Sequence, residues 1–372
     1  MKKYTKLFLA TLCFISSAPV LADGYKGEAP PLPCVTIPNF NGGFEFTLGA
    51  IYMQPTSSNL TYTALNQVTT IGAGTAASPS LTTSTWNSES ISPNYNWGFV
   101  LGVGYVFPNT ANDVKLDWMY FHNNYSDSSD AFGVSGTTTT IVNFPVDNGT
   151  LTSGDVANSS GSVEYDFDAV DLTFGQYINI GPRLQVRKFA GLRYMRLNDD
   201  LSTSVVQALP VAGGTGSEIE TSSGNLNSSF NGLGPLFGAR ADYYLGSGFG
   251  LSGMFDAALL VGNLSFSGNQ LDVTTTETSG HVFNITASEV DDLNWDSQNV
   301  VAPAFDAKFG LNYKYQFNNG TLVALELGYQ VTKYIDVVEQ LDRGSASDDI
   351  SFDTDVTNFG LNGPYLTLNV KV

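Results

Sequence analysis

From Val301 to Phe317 the chain alternates. Val301, Pro303, Phe305, Ala307, Phe309, Leu311, Tyr313, Tyr315 and Phe317 are apolar, and Asp306, Lys308, Asn312, Lys314 and Gln316 lie between them. A period of two is an extended strand with one greasy and one wet face. The run is long enough to cross a bilayer at a tilt, which takes about 9–11 residues. Asn318-Asn319-Gly320 then signals a tight turn, and a second long alternating run follows.

The same template fits ten segments: 43–54, 96–107, 113–123, 163–180, 184–197, 231–245, 249–264, 300–317, 321–335 and 359–372. Their connections alternate between short (108–112, 181–183, 246–248, 318–320) and long (roughly 55–95, 124–162, 198–230, 265–299, 336–358). Short periplasmic turns and long outer loops are the asymmetry of bacterial outer-membrane barrels. The pattern therefore predicts an all-β chain: a transmembrane antiparallel up-and-down β-barrel of about ten strands over 43–372. The alternative is twelve or more strands, with extra ones at 60–64 and 139–146; the favoured reading is that these two runs only extend the wall. In hydrocarbon every backbone polar group must be paired, so only a closed sheet of strands can cross. Tyr52, Trp97, Tyr105, Phe107, Tyr120, Tyr243, Tyr313 and Tyr315 are expected in interfacial girdles.

The start of the chain agrees with this destination. Lys2, Lys3 and Lys6 precede a short apolar run from Leu7 to Ile15, and Val20-Leu21-Ala22 offers small residues for cleavage. This reads as a secretory signal peptide over 1–22, cut after Ala22, then a periplasmic leader over 23–42. The expected localisation is the bacterial outer membrane. The formal charge is −19 before cleavage, and losing the three lysines makes it more negative. That balance argues against nucleic acid as a partner and favours cations. Cys34 would be the one cysteine left, so no internal disulfide is expected.

Parity assigns the charges expected to face the lumen: Glu45, Lys115, Asp117, Asp171, Arg187, Arg193, Arg240, Asp242, Asp256, Asp306, Lys308 and Glu326. Two readings stay open for them. One is a pore lining that selects solutes. The other is a salt-bridge network filling a narrow barrel, since about 8 strands give a filled interior and 16–18 an aqueous channel. Arginine at outward Leu325 or Leu259 is expected to harm insertion more than arginine at inward Gln330 or Ser252.

No catalytic group, cofactor or metal site is expected. His122 falls at the outer end of a strand on the lipid side and His281 in a polar loop. There is no nucleophile elbow, phosphate loop or zinc spacing. The acidic clusters Glu289-Val290-Asp291-Asp292 with Asp296, and Asp348-Asp349 with Asp353 and Asp355, offer oxygen ligands for calcium or magnesium, but they lack the calcium-loop pattern and the favoured reading is solvated loops.

Three stretches are distinctive: 97–122 (WGFVLGVGYVFPNTANDVKLDWMYFH), 165–197, with FGQYINIG, and 230–264, with DAALLVGN. With Pro33-Cys34-Val35-Thr36, this chain resembles the Legionella major outer membrane protein family over most of its length. The chain departs in two ways: Pro182 and Ser247 stand where family members often carry turn cysteines, and it ends in Val372, whereas many barrel proteins end in an aromatic. The resemblance implies a porin-like protein with surface-exposed loops. The expected function is passive diffusion of small polar solutes, with cation preference from the acidic rim. The alternative is a closed structural or adhesive barrel acting through its loops. Expected partners are outer-membrane lipid, lipopolysaccharide through divalent cations, another copy of the chain, or a host-surface ligand.

Overall fold

The computed structural model describes residues 35–71, 81–132, 137–143, 148–151, 156–210, 216–278, 281–341 and 354–372. The expected signal peptide, its cleavage at Ala22, and Cys34 lie outside these residues. Among them every regular element is a strand, starting with β1 (Val35–Thr36), β2 (Gly43–Ser57), β3 (Thr61–Ile71) and β4 (Leu81–Ser90). Next come β5 (Asn96–Val106), β6 (Asn112–Phe132), β7 (Thr137–Asn143), β8 (Asn148–Leu151), β9 (Val156–Ile180) and β10 (Leu184–Pro210). The remainder are β11 (Gly216–Gly246), β12 (Phe249–Thr278), β13 (His281–Asn294), β14 (Gln298–Gln316), β15 (Leu322–Leu341) and β16 (Thr354–Lys371).

Ten of these strands close into one antiparallel ring. The order is β2-β5-β6-β9-β10-β11-β12-β14-β15-β16, and β16 pairs back onto β2 through Leu368↔Leu48 and Val370↔Phe46. β1 caps β9 at Ile180 and Asn179, and β13 pairs with the upper part of β12. Of the runs expected as added wall, 61–64 and 139–143 behave differently, and 144–146 lie outside the described residues. β3 and β7 pair with each other, and with β4 and β8 make a separate four-stranded sheet.

The long loops also differ from expectation. The span 198–230 is mostly ladder, because β10 and β11 stay paired from Leu184↔Tyr243 to Pro210↔Ser217. Its Ser, Thr and Asn residues can face water on the outside and still pair their backbones along the hairpin. At the opposite end the turns are tight. Asn109, Gly181, Ser247 and Gly320 each take a positive φ there, which reverses a twisted pair in few residues. The leader's end is held at this rim: the Phe40 amide donates to Thr110 O, and its ring meets Tyr177 at 5.2 Å between centroids.

Around the ring the outward positions are apolar over a band. Leu48, Leu101, Leu116, Leu192, Leu233, Leu259, Leu311, Leu325 and Leu366 are all exposed in the isolated chain. Tyr52, Trp97, Phe107, Tyr243, Tyr313 and Tyr315 are exposed beside them, whereas Tyr105 and Tyr120 are half-buried. Lys188 and Arg196 also point outward.

Candidate functional site in the barrel lumen

The inward face divides into three levels. Near the short turns, Lys115 Nζ meets Glu45 Oε1 at 2.6 Å. Arg187 Nε donates to both oxygens of Asp113, at 3.0 and 2.8 Å, and its Nη2 donates to Thr173 Oγ1. Gly175 leaves the space this pair needs: a Cβ there would sit 2.3 Å from Asp113 Oδ1. From the facing wall Arg240 pairs with Glu326 and, at 3.3 Å, with Asp242. Tyr365 Oη donates to Glu326 Oε1 at 2.5 Å, and Lys314 lies 3.6 Å from Asp242.

The second level is built on Arg193. Its Nε and Nη2 reach Asp171 at 2.7 and 2.6 Å, a bidentate pair set by the direct register Arg193↔Asp171. Its Nη1 donates to Asp306, and Asp256 lies 3.3 Å away. Asp256 and Asp306 are cross-strand partners, as are Asp117 and Asp171. Like charges directly opposite are destabilising, so both pairs depend on the cations between them. Lys308 stands 5.8 Å over the Tyr365 ring. All twelve charges on the sequence-derived list therefore occupy the inner face.

The third level is apolar. Phe121, Tyr165, Phe167, Met195, Phe230, Leu260, Tyr334 and Phe359 point inward and are almost fully buried. Phe167 packs on Tyr334 and Phe359 at 5.5 and 5.9 Å between centroids, and Tyr165 on Phe359 at 5.2 Å. β9 and β15 lie half-way round the ring from each other, so these rings meet across the lumen. Gln330 of β15 likewise reaches Met119 Sδ of β6 at 3.8 Å. Higher still, Asn59 Nδ2 donates to Asp199 Oδ2 at 2.7 Å, and the Glu339 amide donates to Ser228 Oγ.

The sequence reading did not list Asp113, Tyr365 or the aromatic level. A parity signal for that level exists. On β10 the even positions Leu192 and Tyr194 are apolar and outward, but from Met195 through Leu197 and Leu201 the odd, inward positions become the apolar ones. β9 makes the same switch between Phe167 and Val170. The inversion marks where the strand leaves lipid: outside becomes wet and inside becomes dry.

Gln330 and Ser252 are buried at 2% and 3% exposure. Arginine there would be overpacked and taken out of water, so the expected mildness of those changes has no structural basis. On the outer face His122 Nδ1 lies 2.8 Å from Asp166 Oδ1. With Glu164, the ligand atoms of this trio fall within 4.8 Å of one another, a combination that can hold a divalent ion. It sits above the apolar band and away from the lumen. His281 opens β13, and Glu289 to Asp292 fall within that strand, whereas Asp348, Asp349 and Asp353 lie outside the described residues.

A closed antiparallel ring with an apolar outer band, tight turns at one rim and a tall polar wall at the other is an outer-membrane β-barrel. The chain belongs to the family described as the Legionella pneumophila major outer membrane protein precursor, whose model matches residues 36–372. Among solved structures it is similar to the outer membrane protease OmpT from Escherichia coli, at 10% identity and TM-score 0.37, covering 91% of this chain and 99% of that one. It is also similar to a Pseudomonas aeruginosa FadL homologue, at 9% identity and TM-score 0.23, covering 89% and 90%. The Pseudomonas putida toluene transporter TodX matches at 6% identity and TM-score 0.20, covering 88% and 89%. No curated protein matches the chain.

Proposed function

We propose that this protein is a surface-presenting barrel whose lumen is shut in the folded state, and that it works through its extracellular wall. The observation that carries this reading is the contact between Phe167 and Tyr334 across the ring. A dry aromatic level admits no continuous file of water, and hydrophobic constrictions block ions by dewetting. The partners of such a wall are outer-leaflet lipopolysaccharide bridged by divalent cations, another copy of the chain, or a host-surface ligand. The acidic balance disfavours nucleic acid, and this reading gives the wall a binding role rather than a catalytic one.

The second reading is porin-like diffusion of small polar solutes with cation preference. It is favoured by the family's character and by the polar half beneath the seal, which opens into a cavity of about 320 Å³ lined by Asp242, Asn312 and Lys314. Planar-bilayer recording of the purified folded protein separates the two. A shut barrel gives no steady conductance, and Phe167→Ala with Phe359→Ala creates one. Steady, cation-selective conductance of the unaltered chain overturns the shut-barrel reading. Deleting the hairpin tip around 210–216 should then abolish cell-surface binding without changing permeability; binding that survives every tip deletion removes the presenting role.

A further inference from the structure

The second level of the lumen is short of positive charge. Asp117, Asp171, Asp256 and Asp306 gather there, and the cations among them are Arg193 and Lys308. Arg193 is shared by three of the four carboxylates. Asp117 makes no ion pair with any described residue. Its carboxylate is accommodated over Gly102, where a Cβ would lie 2.2 Å from Asp117 Oδ1. With every group ionised, the cluster carries two uncompensated negative charges in a place sheltered from water.

Asp117, Asp171, Arg193, Asp306 and Lys308 line a cavity of about 60 Å³, together with Gln330 and Tyr334. Three oxygens of its lining residues are buried and have no hydrogen-bond partner: Asp306 Oδ1, Gln330 Oε1 and Tyr334 Oη. All three residues are at most 4% exposed. Gln330 spends its amide nitrogen on Thr332 Oγ1 and Met119 Sδ, which leaves its carbonyl oxygen as a free acceptor. Buried polar atoms are rarely left unmatched, and an orphan group points to a missing water or ion. The unmatched oxygens and the missing charge coincide here.

We propose that this cavity is a binding site for one hard divalent cation of the calcium or magnesium class. Oxygen-only ligands, carboxylate plus amide carbonyl, suit such ions, whereas softer metals take imidazole or thiolate. The cavity is large enough for an ion with one water, whose share of liquid volume is about 30 Å³. Asp117 and Asp306 supply charge, and Gln330 supplies a neutral oxygen. One divalent ion cancels the two-charge deficit and relieves both cross-strand aspartate pairs. The site is independent of whether the lumen conducts.

The test uses full-length protein folded in detergent, stripped with chelator and dialysed against labelled calcium. The expected result is one tightly bound ion per barrel and a higher unfolding temperature on calcium addition. Asp117→Asn and the near-isosteric Gln330→Met should each weaken binding at least tenfold, with folding verified by heat-modifiable mobility. Asp117→Asn should also make the stripped protein more resistant to heat, because it removes one uncompensated charge. Two results overturn the proposal. Undiminished binding in both variants places the ion on acidic segments elsewhere. No binding at millimolar calcium or magnesium means that protons and water balance the cluster.

Discussion

Phe167 and Tyr334 stand on opposite strands of a ten-stranded ring, yet their rings lie 5.5 Å apart. Half the circumference of the barrel separates them along the sheet, and one van der Waals contact separates them through the lumen. This relationship determines what mutations inside the barrel do.

Phe167→Ala should destabilise the barrel by about 3–5 kcal/mol, the usual cost of truncating a buried phenylalanine. Phe359→Ala should cost a similar amount. The double variant should fall short of the sum, because the two rings share a contact. Denaturant unfolding in detergent micelles measures all three. Strict additivity would mean that the rings do not touch across the lumen.

Arg193→Met should be among the most damaging single changes, about 3–5 kcal/mol, because it strands Asp171, Asp256 and Asp306 without their shared cation. Arg193→Lys keeps the charge and loses the bidentate geometry on Asp171, so it should lie between the two. Loss of the heat-resistant folded band on a gel reads the ranking. A tolerated Arg193→Met would show that the carboxylates are neutralised in another way.

Leu325→Arg and Leu259→Arg point a cation at the hydrocarbon and should cost about 2–4 kcal/mol near the midplane. Both positions are roughly half exposed in the isolated chain, as lipid-facing residues are. Folding yield into vesicles is the measurement. Leu325→Phe on the same face should be silent.

Asp199 gives a pH signature above the membrane. It lies five residues beyond Tyr194, the last outward aromatic of β10, and burial pushes its carboxyl up to about 7 despite the hydrogen bond from Asn59. A carboxyl whose folded value exceeds its unfolded value binds more protons in the folded state. Its contribution is therefore full at low pH and is lost as pH rises from about 4 through about 7. Hydrogen-exchange protection around Asn59, taken relative to the intrinsic base-catalysed rate, should be greater at pH 5 than at pH 8, and Asp199→Asn should flatten that dependence. Greater protection at pH 8 would reverse the sign and refute it.

The membrane-spanning part of this fold was legible because lipid imposes a strict rule on each strand. Val323 to Val331 and Leu366 to Val372 can be read as strands from period alone, and the ring's ten members follow from ten such runs. The charged lumen residues emerge from the same parity. What hid the aromatic level is that the rule reverses outside the bilayer. Met195 and Leu197 break the parity set by Leu192 and Tyr194, and such a break looks like the end of a strand when it is only the end of the membrane. The ladder above it is spelled in Ser, Thr and Asn, which carry no strong strand signal, so 198–230 reads as loop. Contacts such as Tyr365 with Glu326 depend on which strand lies beside which, and on side-chain length, and periodicity holds neither.

The unbroken ladder between β10 and β11 has a mechanical consequence. At about 3.3 Å per residue and a tilt of about 40°, the 27 residues of β10 rise roughly 70 Å, against an apolar band about 25 Å tall. The Pro210↔Ser217 end of the ladder therefore stands several nanometres clear of the lipid headgroups. A pull on that end away from the membrane has its larger component along the strands, so it loads the hydrogen bonds mainly in shear, many at once, rather than peeling them one by one. The hairpin is a stiff mast, and whatever grips its end pulls directly on the barrel in the membrane.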